Sequence, residues 1–524
     1  MNYKLLFVSL FGFSLLCACK QGTKVKNEDE GDSIQNGEIE NVMQELPDTA
    51  FNSVRNLKYE IHNVDSLERP LKSFADIYAN DKSALTFRKN LKRDADFYGV
   101  IQGTPTKIKV DWVFNTEVDN RKTRLGTWAG GTGWSGQPLY VHWTPEEVTE
   151  FKAKAKNLTP DFSEDEILVG SLCSKVYFLN LNNGKASRKP IDVKNVLKGT
   201  MSLDREMKNL YVGQGVPHEQ PFGTLCIDLF TQEYNMMVGT NAGAWRGWNG
   251  FDSSAIIAGG YLFWCAENGT VYKYERERAN VKLVSSIKYR YNGVAPGIES
   301  SLCVYRNYGF FGDNNGNIIC LNLNNMKPVW LYSNHDDSDA TIVCKEENGT
   351  PYLYAGCEVD KQGTKADCHL IKLNALNGDL VWEKNIPCQR YIIGSKTLDG
   401  GLYATPLLGR GDCEGMVFYN ITRNNAAKNQ GELYALNSND GSEVYTTGYK
   451  TWAWSSPVGF YNENGEMYIF TGDAAGNVYL IRAKTGEIIY TEKVGNNFES
   501  SPVVIGNAAI VGSRGNGIYK FVIQ

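Results

Sequence analysis

Four carboxylates in this 524-residue chain share one recurring setting. Asp252 opens the run DSSAI (252–256), Glu299 opens ESSLCV (299–304) and Glu499 opens ESSPVV (499–504). Asp339 stands before ATIV in a looser copy, and Trp454 opens WSSPVG (454–459). Trp134 and Tyr403 hold matching places, with Arg246 and Trp248 near Asp252. If each small-residue cluster begins an innermost strand, these side chains line one mouth of a common channel. The result is a ring of carboxylates interleaved with aromatics. Carboxylates accept hydrogen bonds from sugar hydroxyls and bind cations; Trp faces stack on sugars, quinones or cations. A plainer reading also fits. Repeat folds place equivalent polar residues in rings, where acids accept from strand-end N–H groups and Trp side chains plug the funnel.

Other chemistry finds little support. Gly131-Thr-Gly133-Trp-Ser-Gly136 matches G-x-G-x-x-G, but the strand-like QPLYVHW follows it where a helix is required. H-E-x-x-H and G-x-S-x-G are absent. The five His (62, 142, 218, 335, 369) show no ligand spacing, so no metal site is expected. The run from Asp313 to Asn317 has the flavour of a calcium loop. Its Gly falls too early and no Glu follows at the twelfth position, so it reads as a hairpin turn. No catalytic residue is assigned.

The elements that must position the ring come from a repeat. A strand of apolar-Tyr-x-Leu type recurs as VYFLN (176–180), VYKY (271–274), IICLN (318–322), LIKLN (370–374), ELYALN (432–437), VYLI (478–481) and IYKF (518–521). TLCID (224–228) is a weaker copy. The Tyr-equivalent positions are spaced by 48, 47, 47, 52, 63, 45 and 40 residues. Strands and tight turns at that period predict propeller blades. Turns such as GDNNGN, GDAAGN and AENGT supply the positive φ that hairpins need. An aromatic follows four residues after the next turn: Trp330, Trp382, Tyr445 and Tyr490. The last copy, ending at Gln524, lacks this fourth strand. KIKVDWVFNT (107–116) carries it instead, so a strand around Trp112 completes the last blade and closes the ring. The expected fold is all-β, an eight-bladed propeller, or seven-bladed if 224–228 is an insertion. The longest insertion, 409–432, is the candidate recognition loop.

Composition sets further bounds. The chain is 42% hydrophobic and 22% charged, with formal net charge −5. Without a basic block, nucleic acid is not an expected partner. Lys4 and the apolar run Leu5–Leu16 form a signal segment too short to span a bilayer permanently. Leu16-Cys17-Ala18-Cys19 resembles the bacterial lipobox, which implies cleavage before Cys19 and its acylation; an ordinary signal with a chance Cys is the alternative. Acyl chains such as palmitate anchor a protein stably when more than one is present. The domain reading is a signal peptide (1–18), a lipidated flexible tether with short helices (19–84), and a propeller (85–524). Ten of twelve cysteines remain in the folded part. Cys357 and Cys368 flank a loop and could bridge a hairpin; most others read as buried apolar side chains.

The repeat grammar resembles the PQQ-like β-propeller repeats of quinoprotein dehydrogenases and of the outer-membrane-protein assembly lipoprotein. Phe87-Arg88-Lys89-Asn90, Arg93 and Gly99 resemble a lead-in common before such repeats, with Lys89 in place of the usual Gly. The resemblance implies two rival functions. One is a non-catalytic binding or scaffolding lipoprotein. It would be a monomer at the outer membrane, periplasmic or surface-facing, without cofactor, binding a protein or glycan by its channel face or loops. The other is a quinoprotein oxidoreductase using PQQ and calcium. There Glu299 or Glu499 would be a calcium ligand, Asp252 a base, and Trp454 a quinone-stacking face. Vicinal Cys-Cys and a Cys-x-x-Cys-His haem site are both missing, which lowers the enzyme reading. A surface sensor or adhesin is a third reading.

Overall fold

The computed structural model describes residue 46 and residues 50–524, apart from 65, 68, 73–74, 95–98, 135, 239–242, 249, 394–395 and 425–429. The signal segment, Cys19 and most of the expected tether therefore lie outside the described residues. The chain is all-β, with eight blades arranged as a propeller. Thr224–Asp228 pairs with Asn209–Gly213 and Tyr234–Val238, so the weak sequence copy is a true third strand and blade 2 is complete. Blade 8 joins the two ends of the chain: Ile108–Asn115 runs antiparallel to Gly517–Ile523, with Trp112 opposite Lys520. Among the described residues the one α-helix is Pro145–Lys154 in blade 1, closed by a Thr144–Glu147 capping box. No described helix is long and apolar enough to cross a membrane.

Local chemistry explains the repeat. In blade 4 the Asp313 carboxylate accepts from the N–H groups of Asn315 and Asn317 and from the Asn317 amide, while Gly316 takes φ +78°. Asp473, Ala475, Gly476 and Asn477 repeat this arrangement in blade 7. Both are hairpin turns whose acid is held by local donors, Asp313 also accepting from the Tyr289 hydroxyl of blade 3. The small-residue clusters are stitches between blades. Ser254 N–H donates to the Ser301 hydroxyl (2.8 Å), and Ser301 N–H to the Thr341 hydroxyl (3.0 Å). On the far side Thr405 N–H donates to Ser456 (3.0 Å), and Ser456 N–H to Ser501 (3.3 Å). A larger residue would break the close approach of neighbouring innermost strands, and an apolar one would orphan the N–H.

Three expectations change. The short helix expected of VRNLKYEI (54–61) does not form. Leu57–Asn63 is a strand on the outer edge of blade 3, paired with Asn280–Tyr291, because that long strand offers a free ladder. The segment just before residue 85 is likewise part of the packed structure: Tyr78 is buried and its hydroxyl accepts from Ile257 N–H. The insertion at 409–432 is largely blade 6 itself. Met416–Thr422 is the second strand and is buried throughout, and Gly431 begins the third. Cys357 and Cys368 are both buried and unbridged, and their thiols lie within hydrogen-bonding reach of each other. The Cys357 sulfur also accepts from His369 N–H at 3.2 Å.

The lead-in before the repeats plugs the channel. Leu85 and Leu91 carbonyls accept from Leu203 and Val304 N–H, and the Lys92 carbonyl accepts from Cys344 N–H. The segment thus crosses the innermost strands of blades 2, 4 and 5. The buried Arg93 guanidinium donates to the carbonyls of Leu302, Phe87 and Ser254 and to Thr86 Oγ1. Lys89 sits at φ +65°, which explains why the related lead-in carries Gly there.

Candidate functional site

The ring positions obey one rule. Each stands four residues before the first residue of its innermost strand: Asp252 before Ile256, Glu299 before Cys303, Asp339 before Val343, Tyr403 before Leu407, Trp454 before Val458 and Glu499 before Val503. The plug touches the strands deeper in, at residues 254–255 and 301–302, so the ring forms the opposite mouth. The same rule gives Lys198 for blade 2, before Ser202. Its cluster reads Lys-Gly-Thr-Met, without the double Ser, which is why sequence reading missed it. In blade 1 the position is Ser135, outside the described residues, with Trp134 beside it.

Most of the mouth falls into two parts, with the charged positions of blades 2 to 5 together and the aromatics of blades 6, 7 and 1 together, Glu499 of blade 8 standing among the aromatics. One half is charged. Lys198 pairs with the fully buried Asp252. Asp252, Glu267 and Glu299 place carboxylate oxygens within 4.8 Å of one another, and Asp337, Asp339 and Glu358 form a second such triad. Arg246 lies against the first triad, where a Cβ on Gly297 would strike its guanidinium. Glu267 was missed because the matching position of the other repeat turns holds Asn314 or Ala474; Asp337, in the loop after the outer strand of blade 4, and Glu358, in the short strand Glu358–Val359, lie outside the repeat register. Burial, then Glu299 and Asp252, push the Glu267 carboxyl well above the usual carboxylate range. Burial, then Asp337 and Glu299, do the same to Asp339, and burial, then Asp337, to Glu358. Burial works against the charge on Lys198, but Asp252, Glu299 and Glu267 outweigh it and raise its pKa. Glu499 stands apart from both triads. It accepts from Asn497 and pairs with Arg514 at 3.2 Å.

The other half is aromatic. Tyr403 and Trp454 stack at 4.4 Å and 22°, and Trp452 lies 4.6 Å from Trp454 on a tilted ring. Trp134 meets the Tyr403 edge at 6.2 Å and donates to its carbonyl at 3.4 Å. Trp248 borders the acidic group, its indole N and a Glu267 carboxylate oxygen both lying within 2.6 Å of where a Cβ on Gly250 would sit; it packs on Phe222 at 6.0 Å and carries Arg124 over its face at 4.5 Å. Phe87, Trp134, Glu299, Asp339, Tyr403 and Ser456 enclose a cavity of ≈ 10 Å³. That is about the room one water needs.

Comparison with known proteins agrees with this architecture. Residues 429–523 match the family model described as outer membrane protein assembly factor BamB. The chain resembles the PQQ-like propellers. A europium-containing methanol dehydrogenase superposes with TM-score 0.58 at 12% identity, covering 85% of this chain and 99% of that one. The quinohemoprotein alcohol dehydrogenase from Comamonas testosteroni gives 0.59 at 14% identity, covering 85% and 81%. BamB from Moraxella catarrhalis gives 0.48 at 14%, covering 70% and 96%. No curated protein sequence matches the chain. At these identities the likeness concerns the fold alone.

The mouth offers hard oxygen donors of the kind a calcium ion takes. A planar quinone fits less well. The Trp454 face is engaged by Tyr403 and flanked by Trp452, and the cavity that the described residues form beside Tyr403 has room for about one water.

Proposed function

We propose that this chain is a non-catalytic binding or scaffolding lipoprotein of the bacterial cell envelope. Acylated Cys19 anchors it to a membrane, and the channel mouth takes a protein segment or glycan. One observation carries the reading: the aromatic half of the mouth is stacked on itself above a plugged channel, which makes a shallow rim and not a closed slot. Beside that rim stand six clustered carboxylates, with Lys198, Arg246 and Lys361 as the nearby cations. Lys or Arg side chains of a partner, or sugar hydroxyls, complement such a surface. The family model matched by the last blades, an assembly factor, supports a scaffold role at the outer membrane.

The test places a photo-crosslinking residue at 134 or 454, with an exposed control at Ile488. A single envelope protein or glycan captured at the mouth positions, and lost in Asp339→Asn, supports the reading. A second reading, a PQQ- and calcium-dependent oxidoreductase, draws on the two carboxylate triads. Titration of the same protein with PQQ and Ca²⁺ separates the two. Calcium-dependent quenching of tryptophan fluorescence, with dye-linked alcohol oxidation lost in Glu299→Ala, would replace the scaffold reading.

A further inference from the structure

Away from the channel, two of the five histidines meet. His335 follows Lys327–Ser333, the outer strand of blade 4; His369 lies in Lys365–Asn374, the third strand of blade 5. Their rings stack at 4.0 Å and 22°. Glu383 belongs to Leu380–Gln389, the outer strand of blade 5. Because His369 is opposite Asn385 and Ile371 is opposite Glu383, His369 and Glu383 are diagonal neighbours on one face of the sheet. One Glu383 oxygen, Oε1, lies 2.5 Å from His369 Nδ1 and 3.9 Å from His335 Nε2. All three side chains offer donor atoms within 4.8 Å of one another.

We propose that His335, His369 and Glu383 form a binding site for a divalent transition metal of the zinc class at the junction of blades 4 and 5. Two imidazoles and one carboxylate are the ligand types such ions prefer over calcium or magnesium. Metal–ligand bonds of about 2.1 Å in a tetrahedral site put ligand atoms about 3.4 Å apart. The two Glu383 separations bracket that value, so small side-chain rotations complete the geometry.

The site rests on fixed elements. His369 and Glu383 stand on paired strands. His335 is held at the apex of a three-residue turn, with φ +68° and Asp336 N–H donating to the Asn334 carbonyl at 2.7 Å. Its neighbours Asn334 and Asp336 are fully buried. The Asp336 carboxylate accepts from the N–H groups of Asp360 (3.0 Å), Lys361 (3.0 Å) and Gln362 (3.3 Å). His335 itself is half exposed, which leaves the remaining coordination position to water or to a partner's side chain.

The test is calorimetric titration of the chelator-stripped full-length protein with Zn²⁺, paired with Co²⁺ titration read by visible absorption. The expected result is one equivalent bound at micromolar Kd or tighter, with cobalt bands of a low-coordinate site. His335→Gln and His369→Gln should each weaken binding at least tenfold. His142→Gln, and Asp339→Asn at the channel triad, should leave it unchanged. No binding, or binding unaltered by both His335→Gln and His369→Gln, would overturn the proposal, as would binding lost only in Asp339→Asn. His335 is exposed enough that its variant folds if His369→Gln does not.

Discussion

The Trp112 indole of blade 8 donates to the Leu181 carbonyl of blade 1 at 2.9 Å, joining the closing blade to the first. Its ring also lies against Gly184, at φ +68°, where a Cβ would sit 2.6 Å from the indole. Trp330 and Trp382 repeat this on the next blade's turn, donating to Ala375 and Ser438 and packing on Gly378 and Gly441. Ring closure thus uses the same joint as blade pairs 4–5 and 5–6. Tyr490 lacks it, because in blade 8 the third and fourth strands come from opposite ends of the chain and no turn joins them; its hydroxyl donates to Glu492 instead.

Trp112→Ala should therefore cost about 2–4 kcal/mol in urea unfolding. Tyr490→Ala should cost less than about 1 kcal/mol. Equal losses would mean that the joint carries no special contact.

The plug makes a second test. Arg93→Met leaves carbonyls without their donor inside the channel and should destabilise by about 3–5 kcal/mol. Lys89→Gly relieves a left-handed residue and should stabilise by about 1 kcal/mol. A Lys89→Gly protein that unfolds earlier than the parent would refute that account.

Lys198→Met strips the cation from a buried carboxylate group and should cost about 3–5 kcal/mol at neutral pH. Adding Asp252→Asn should restore part of that loss. A double variant no more stable than the single would show that Lys198 acts by packing alone.

The acids at the mouth also fix a sign. Glu267, Asp339 and Glu358 have folded pKa values raised by burial and by neighbouring acids. The folded state then holds more protons than the unfolded one above the ordinary carboxylate range. Their contribution is present below that range and is lost as pH rises through the raised values. Thermal unfolding should show stability falling from mildly acidic to mildly alkaline pH. Glu267→Gln should flatten the slope and stabilise most at the alkaline end.

The described cysteines are all free and buried. Native protein should resist alkylation, and denatured, unreduced protein should take up ten labels by mass spectrometry. A mass short by two labels would identify a bridge, with Cys357 and Cys368 the first pair to map.

The blades were legible because each is a local meander whose turns, spacing and fourth-strand aromatic repeat in sequence. The closing strand followed from one missing copy, and the ring members from their place before each Ser-rich cluster. The lipobox, the tether and the membrane side rest on the sequence reading alone. Tertiary structure decided the rest, for one physical reason: side chains from different blades meet at distances that no sequence spacing encodes. It split most of the ring into acidic and aromatic parts, and it added Lys198, whose cluster lacks the double Ser. It brought in Glu267 from a variable position of a repeat turn, and Asp337 and Glu358 from segments outside the repeat. It also stacked His335 on His369, two residues 34 positions apart that showed no ligand pattern in the chain.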